Sequence, residues 1–177
     1  LQIAKADTDQ CNVRVWVSDP DPKGLNVRAE PKAKSKVLGT LPTSTEITLV
    51  SSQNGWFKFI KPVAFTPRER VDWEQLKSGP QTGWVHGSKL TTSLRLSWDN
   101  GRRENFFSVY SQPSQSSTVL KRWVGPDSPG SDIDAVRMLF ACNGAWLKMT
   151  VEGAKNTSET GWVHSDNQCP NQVTTCP

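Results

Sequence analysis

Apolar residues recur at every second position in short runs along this chain. Val13-Arg14-Val15-Trp16-Val17 alternates strictly, and so does Leu94-Arg95-Leu96-Ser97-Trp98. A period of two places alternate side chains on opposite faces of a strand, so both runs predict half-buried β-strands. Glu46–Val50 and Trp56–Ile60 flank the turn Ser51-Ser52-Gln53-Asn54-Gly55, and Val136–Phe140 and Trp146–Met149 flank a second Asn-Gly at Asn143-Gly144. Asn-Gly between strands signals a hairpin, because both residues tolerate positive φ. One segment departs from this period. Thr66-Pro67-Arg68-Glu69 reads as an N-cap, a first-turn proline and a capping-box glutamate, and Gly79 is placed to close the C-terminus. The spacing predicts a helix over Pro67–Ser78, inside an insertion at about 66–78, with Val71, Trp73 and Leu76 as the residues that pack on the strands.

The strand pattern is written twice. Val27 and Pro31 recur as Val109 and Pro113, and Val37-Leu38 recurs as Val119-Leu120, all at an offset of 82. Asn54-Gly55-Trp56 is echoed by Asn143-Gly144-Ala145-Trp146, and Gly83-Trp84-Val85-His86 returns as Gly161-Trp162-Val163-His164. The order of the landmarks holds while their spacing drifts, as expected when loops differ and strands do not. The two tetrapeptides contain the only two histidines of the chain. His86 and His164 therefore read as equivalent positions of two units, with a structural or surface role.

LNVRAEPKAKSKVLGTL at 25–41, then Ile47–Val50, NGWFKF at 54–59 and GWVH at 83–86 resemble the bacterial SH3 (SH3b) domain at every station of its motif. The second half is similar but degenerate: Phe107-Ser108-Val109-Tyr110 stands where Leu25-Asn26-Val27-Arg28 does, and Lys121-Arg122-Trp123 where Gly39-Thr40-Leu41 does. The resemblance implies an all-β fold of two small SH3-like β-barrels packed in tandem, with a short helix inserted in the first. The units are expected at 12–92 and 93–177, the second with a cysteine-containing tail. It also implies a non-catalytic exported binding or targeting module that recognises a cell-wall (peptidoglycan) peptide or glycan. The alternatives are an envelope scaffold that binds only a protein partner, or the targeting part of a cell-wall hydrolase.

Composition refines this picture. Hydrophobic residues make up 35% of 177 residues, which suits two small cores better than one large one. Small cores need staples. The cysteines Cys11, Cys142, Cys169 and Cys176 show no CxxC pairs and read as disulfide candidates. Cys169 and Cys176 are close enough to close a short loop, which leaves Cys11 for Cys142; Cys142 with Cys169 or Cys176 is an equal alternative. Disulfides imply the periplasm or the medium, with any signal peptide already removed. No apolar run approaches the length of a membrane span.

The net charge of +4 is mild. The alternating Lys32, Lys34 and Lys36 make a basic edge that suits an anionic wall polymer. Nucleic acid is not expected, since no Arg-aromatic platform is evident. No cofactor or metal is expected: Asp127, Asp132 and Asp134 do not fit a calcium-loop spacing. No nucleophile motif is present, and Cys142 precedes a turn where no helix start lowers its pKa. Eight tryptophans are the informative excess. Partly exposed tryptophans make flat apolar platforms with a polar N–H. Trp56 and Trp146, each just after a hairpin turn, lead the ligand-contact candidates. Trp84, Trp162, Trp73 and Tyr110 complete them.

Overall fold

The structure is a computed structural model that describes residues 9–64, 73–125 and 136–169. It is built almost wholly of strands: β1 (Asp9–Val17), β2 (Leu25–Arg28), β3 (Val37–Leu41), β4 (Thr45–Gln53), β5 (Trp56–Ala64), β6 (Thr82–His86), β7 (Leu90–Thr91), β8 (Ser93–Leu94), β9 (Ser97–Asp99), β10 (Glu104–Tyr110), β11 (Val119–Val124), β12 (Val136–Asn143), β13 (Trp146–Glu152), β14 (Ser158–His164) and β15 (Gln168–Cys169). The helix α1 (Trp73–Ser78) occupies the end of the expected insertion. Residues 65–72, with Val71 among them, lie outside the described residues. Leu76 of α1 is buried, and Gln81 Nε2 donates to its carbonyl.

The first sheet runs β3-β2-β6-β5-β4-β1-β7 and the second β11-β10-β14-β13-β12, with β9 added beside β10. The five shared strands therefore follow one order in both sheets. The hairpin registers agree residue by residue: Trp56 faces His86 and Phe59 faces Gly83, just as Trp146 faces His164 and Met149 faces Gly161. Alternation explains the cores. Phe57, Phe59 and Val85 point inward in the first sheet, and Leu147, Met149 and Val163 do so in the second, all with no exposure. The two central glycines are required by close approach. A Cβ on Gly83 would stand 2.3 Å from Val27 Cγ1, and one on Gly161 would stand 2.5 Å from Val109 Cγ1.

Two of the alternating runs behave differently from expectation. Trp16 lies on the outward face of β1 yet is buried, beside Thr91 of β7, whereas Asn12 and Arg14 on the same face are exposed. The run Leu94–Trp98 is broken into β8, which pairs with β15, and β9, which pairs with β10. The break at Arg95-Leu96, where Arg95 N–H donates to the Asn167 carbonyl, resets the alternation and leaves Trp98 exposed.

The halves meet along β1 and β12. Cys11 and Cys142 form a disulfide with their Cα atoms 5.5 Å apart. Asn12 N–H donates to the Gly144 carbonyl and Gly144 N–H to that of Gln10. Ser52 Oγ accepts the Cys142 N–H at 3.0 Å. Gly87 presses so closely on the second half that a Cβ there would stand 2.1 Å from the Leu139 carbonyl oxygen. Cys169 is also disulfide-bonded, and Cys176 lies outside the described residues.

Candidate functional site

The outward faces of β5–β6 and β13–β14 carry the same aromatic arrangement. Residues directly opposite on neighbouring strands point to one face, with Cβ atoms about 5 Å apart. Trp56 opposite His86 therefore becomes an edge-to-face pair, with ring centroids 5.1 Å apart. Trp146 and His164 repeat it at 4.9 Å. The next outward pair along the hairpin is Lys58 opposite Trp84 in the first half and Lys148 opposite Trp162 in the second. Across the other edge of β6, Trp84 faces Arg28; across β14, Trp162 faces Tyr110. Tyr110 also meets Trp146 edge to face at 5.6 Å. All four tryptophans, Tyr110 and both histidines are half-buried. Each half thus presents a ledge of two indoles and an imidazole, accessible on one side and braced on the other.

The histidines hold the ledges in place. His86 Nδ1 accepts the Ser88 N–H at 3.3 Å and caps the 3-10 turn Gly87–Lys89. His164 Nδ1 accepts the Asp166 N–H at 3.3 Å and caps Ser165–Asn167. Each turn is then tied to the hairpin it follows: Gly87 N–H donates to Gly55, and Ser165 N–H to Ala145. The same ring nitrogens have a side-chain neighbour each: Ser88 Oγ lies 2.8 Å from His86 Nδ1, and Asp166 Oδ2 lies 3.2 Å from His164 Nδ1. Among the described residues no cysteine is a free thiol.

The remaining expected residues are spread more widely. Trp73 opens α1. Lys32, Lys34 and Lys36 are exposed on the loop after β2, with Lys32 ion-paired to Glu30. That loop touches the first ledge, because Arg28 Nη1 donates to the Ser35 carbonyl at 2.9 Å. Asp127, Asp132 and Asp134 lie outside the described residues. Arg28, Lys58 and Lys148 went unnamed as candidates from the sequence. Their place beside Trp84 and Trp162 depends on strand register, which the repeated Gly-Trp-Val-His alone does not give.

Charge elsewhere is structural. Asp99 Oδ1 accepts two backbone N–H groups, from Gly101 and Arg102, and Oδ2 pairs with Arg122 at 3.0 Å. The Arg102 amide is the main reason its carboxyl titrates below the ordinary value. Arg122 also lies over the Phe106 ring, 3.8 Å from its centroid. Glu46 is buried, and that desolvation raises its pKa despite the Arg14 guanidinium at 3.1 Å. No helix among the described residues is long and apolar enough to cross a membrane.

No curated protein matches the chain. Residues 23–91, from the turn before β2 to the end of β7, match the family model described as the bacterial SH3 domain. The all-β fold is SH3-like, and the match to the bacterial SH3 domain lies within its first half.

Proposed function

We propose that this is an exported, non-catalytic binding module made of two bacterial SH3 units, at 12–92 and 93–177, that holds a cell-wall peptide or glycan on its aromatic ledges. Bacterial SH3 domains are typically non-catalytic binding modules, often cell-wall related and extracytoplasmic. The observation that carries the reading is the repeated ledge: Trp56, Trp84 and His86 in the first half, and Trp146, Trp162 and His164 in the second, stand in one register. Flat, half-buried indoles with an N–H at the rim suit the mixed apolar and polar surface of a peptide or sugar. The disulfides fit an oxidising compartment. Capping by both imidazoles supports the non-catalytic part.

Co-sedimentation with isolated cell-wall sacculi at low and high salt tests this, alongside Trp56→Ala and Trp146→Ala. Binding that survives salt and falls in either variant is the expected result. Binding that vanishes with salt reduces the interaction to a basic surface on an anionic polymer. No binding at either salt refutes the wall ligand. A second reading, docking of an extended protein segment, is favoured by one observation. The edge strands β3 and β11 leave Val37-Leu38 and Val119-Leu120 exposed at equivalent positions.

A further inference from the structure

The two ledges share a frame and differ in charge. Trp84 stands between Arg28 and Lys58 on the neighbouring strands, whereas Trp162 stands between Tyr110 and Lys148. Strands β2, β5 and β6 read LNVR, WFKFIKPVA and TGWVH, without a single carboxylate. Among the described residues neither Arg28 nor Lys58 has an acidic partner. The loop beside each ledge sharpens the contrast. Ala29 N–H donates to the Lys36 carbonyl and Ser35 N–H to that of Lys32; Ser111 N–H donates to Thr118 and Ser117 N–H to Ser114 in the same way. The backbone is one design, but Glu30-Pro31-Lys32-Ala33-Lys34-Ser35-Lys36 is replaced by the uncharged Gln112-Pro113-Ser114-Gln115-Ser116-Ser117-Thr118. At the capped turn, Ser88 of the first half gives way to Asp166 of the second.

We propose that the first ledge is a carboxylate-recognition site and the second is not. Arg28, opposite Trp84 in register, is anchored through one N–H to the Ser35 carbonyl. Arg28 and Lys58 stand opposite Trp84 on the two strands that flank it, so both cations share the face that carries the indole. An anion there meets two charge-assisted donors, and the loop's one carboxylate, Glu30, is ion-paired to Lys32. The half-buried indole beneath favours an anion that carries an apolar stem, which is the chemistry of a peptide's terminal or side-chain carboxylate. On the second ledge one of the two cations is a tyrosine, and the adjacent turn adds a carboxylate. The proposal rests on the binding-module reading above and specifies the ligand group for one of its faces.

The test is a 1H–15N spectrum of the full chain titrated with N-acetylalanine and, separately, with its uncharged amide. Each indole N–H gives one peak, assigned through single Trp→Phe variants. The expected result is a saturable shift at Trp84 with the carboxylate, and a response at least roughly ten-fold weaker with the amide. Lys58→Gln is expected to weaken carboxylate binding by about three- to ten-fold at an unchanged unfolding temperature, while Lys148→Gln leaves it unaltered. Equal response to the amide, shifts centred on Trp162, or no shift up to roughly 50 mM overturns the proposal. Sacculus binding that persists alongside such a failure leaves the wall reading standing and sinks the carboxylate site alone. A working carboxylate site without sacculus binding does the reverse.

Discussion

In the first half, the strand that precedes β2 is nine residues long and pairs with both β4 and β7. In the second, the chain before β10 offers only β8, two residues that pair with β15, and β9, three residues that pair with β10. The outer flank of β12 is met instead by β1, through the Cys11–Cys142 disulfide and the hydrogen bonds at Gly144. β1 is thus a strand of the first sheet that also bridges to the second half at Gly144. The lesson is an asymmetry of edges: each sheet uses only strands of its own half, but the first includes the long β1 beside β4, whereas the second has no such strand beside β12 and is met near that edge by β1 of the first half. The cores differ in the same direction. Where Leu25 opposes Leu41, the second half sets Phe107 opposite Trp123, whose Nε1 donates to Thr157 Oγ1 at 3.1 Å.

The largest expected effect comes from cutting the chain between Thr92 and Ser93. The first half alone is expected to unfold cooperatively by circular dichroism, and the second to show no cooperative transition; two equal transitions would erase the asymmetry. Next is the disulfide. Cys11→Ser with Cys142→Ser removes a cross-link that spans a sequence separation of 131. Its loss is expected to cost about 2–5 kcal/mol of unfolding free energy in denaturant titration. Gly87→Ala forces a Cβ against the Leu139 carbonyl and the Phe57 ring, with an expected cost of about 1–3 kcal/mol. Ser165→Ala, at the equivalent turn position, is expected to stay within about 0.5 kcal/mol. His86→Ala and His164→Ala each remove a cap and an aromatic contact, and both are expected to cost about 1 kcal/mol. A much larger loss in only one would show that the two ledges are not held alike.

The smallest effects are in pH, and the halves differ in sign. Asp99 in the second half has a lowered pKa, chiefly through the Arg102 amide. Its stabilisation is present above the unfolded value near 3.8 and is lost as pH falls through the lower folded value. Asp99→Asn should flatten that acid limb. Glu46 in the first half has a raised pKa through burial. Its ionised form opposes folding, so its contribution worsens as pH rises from 4.5 through the raised value. Glu46→Gln should remove that falling slope in a series of thermal melts.

Much of the ledge was legible before any strand was placed. Trp56, Trp84, Trp146 and Trp162 stood out because Gly-Trp-Val-His and the hairpin Asn-Gly occur twice, and alternation puts each indole outward. Tyr110 was visible as the residue at the position of Arg28. The cations were not, since Arg28 and Lys58 reach Trp84 from strands separated in sequence. The run Leu94–Trp98 misled because alternation presumes one unbroken strand, and pairing with two different partners divided it.

The sequence by itself determined the strands, the hairpins and the twofold repetition, because period-two alternation and turn residues act over a few neighbouring positions. Which cysteine met which, how Trp16 came to be buried on an outward face, and the bridge from β1 to the second half were decided only by the tertiary structure. These follow from contacts between residues far apart in sequence, 131 positions for the disulfide, where no local pattern carries information.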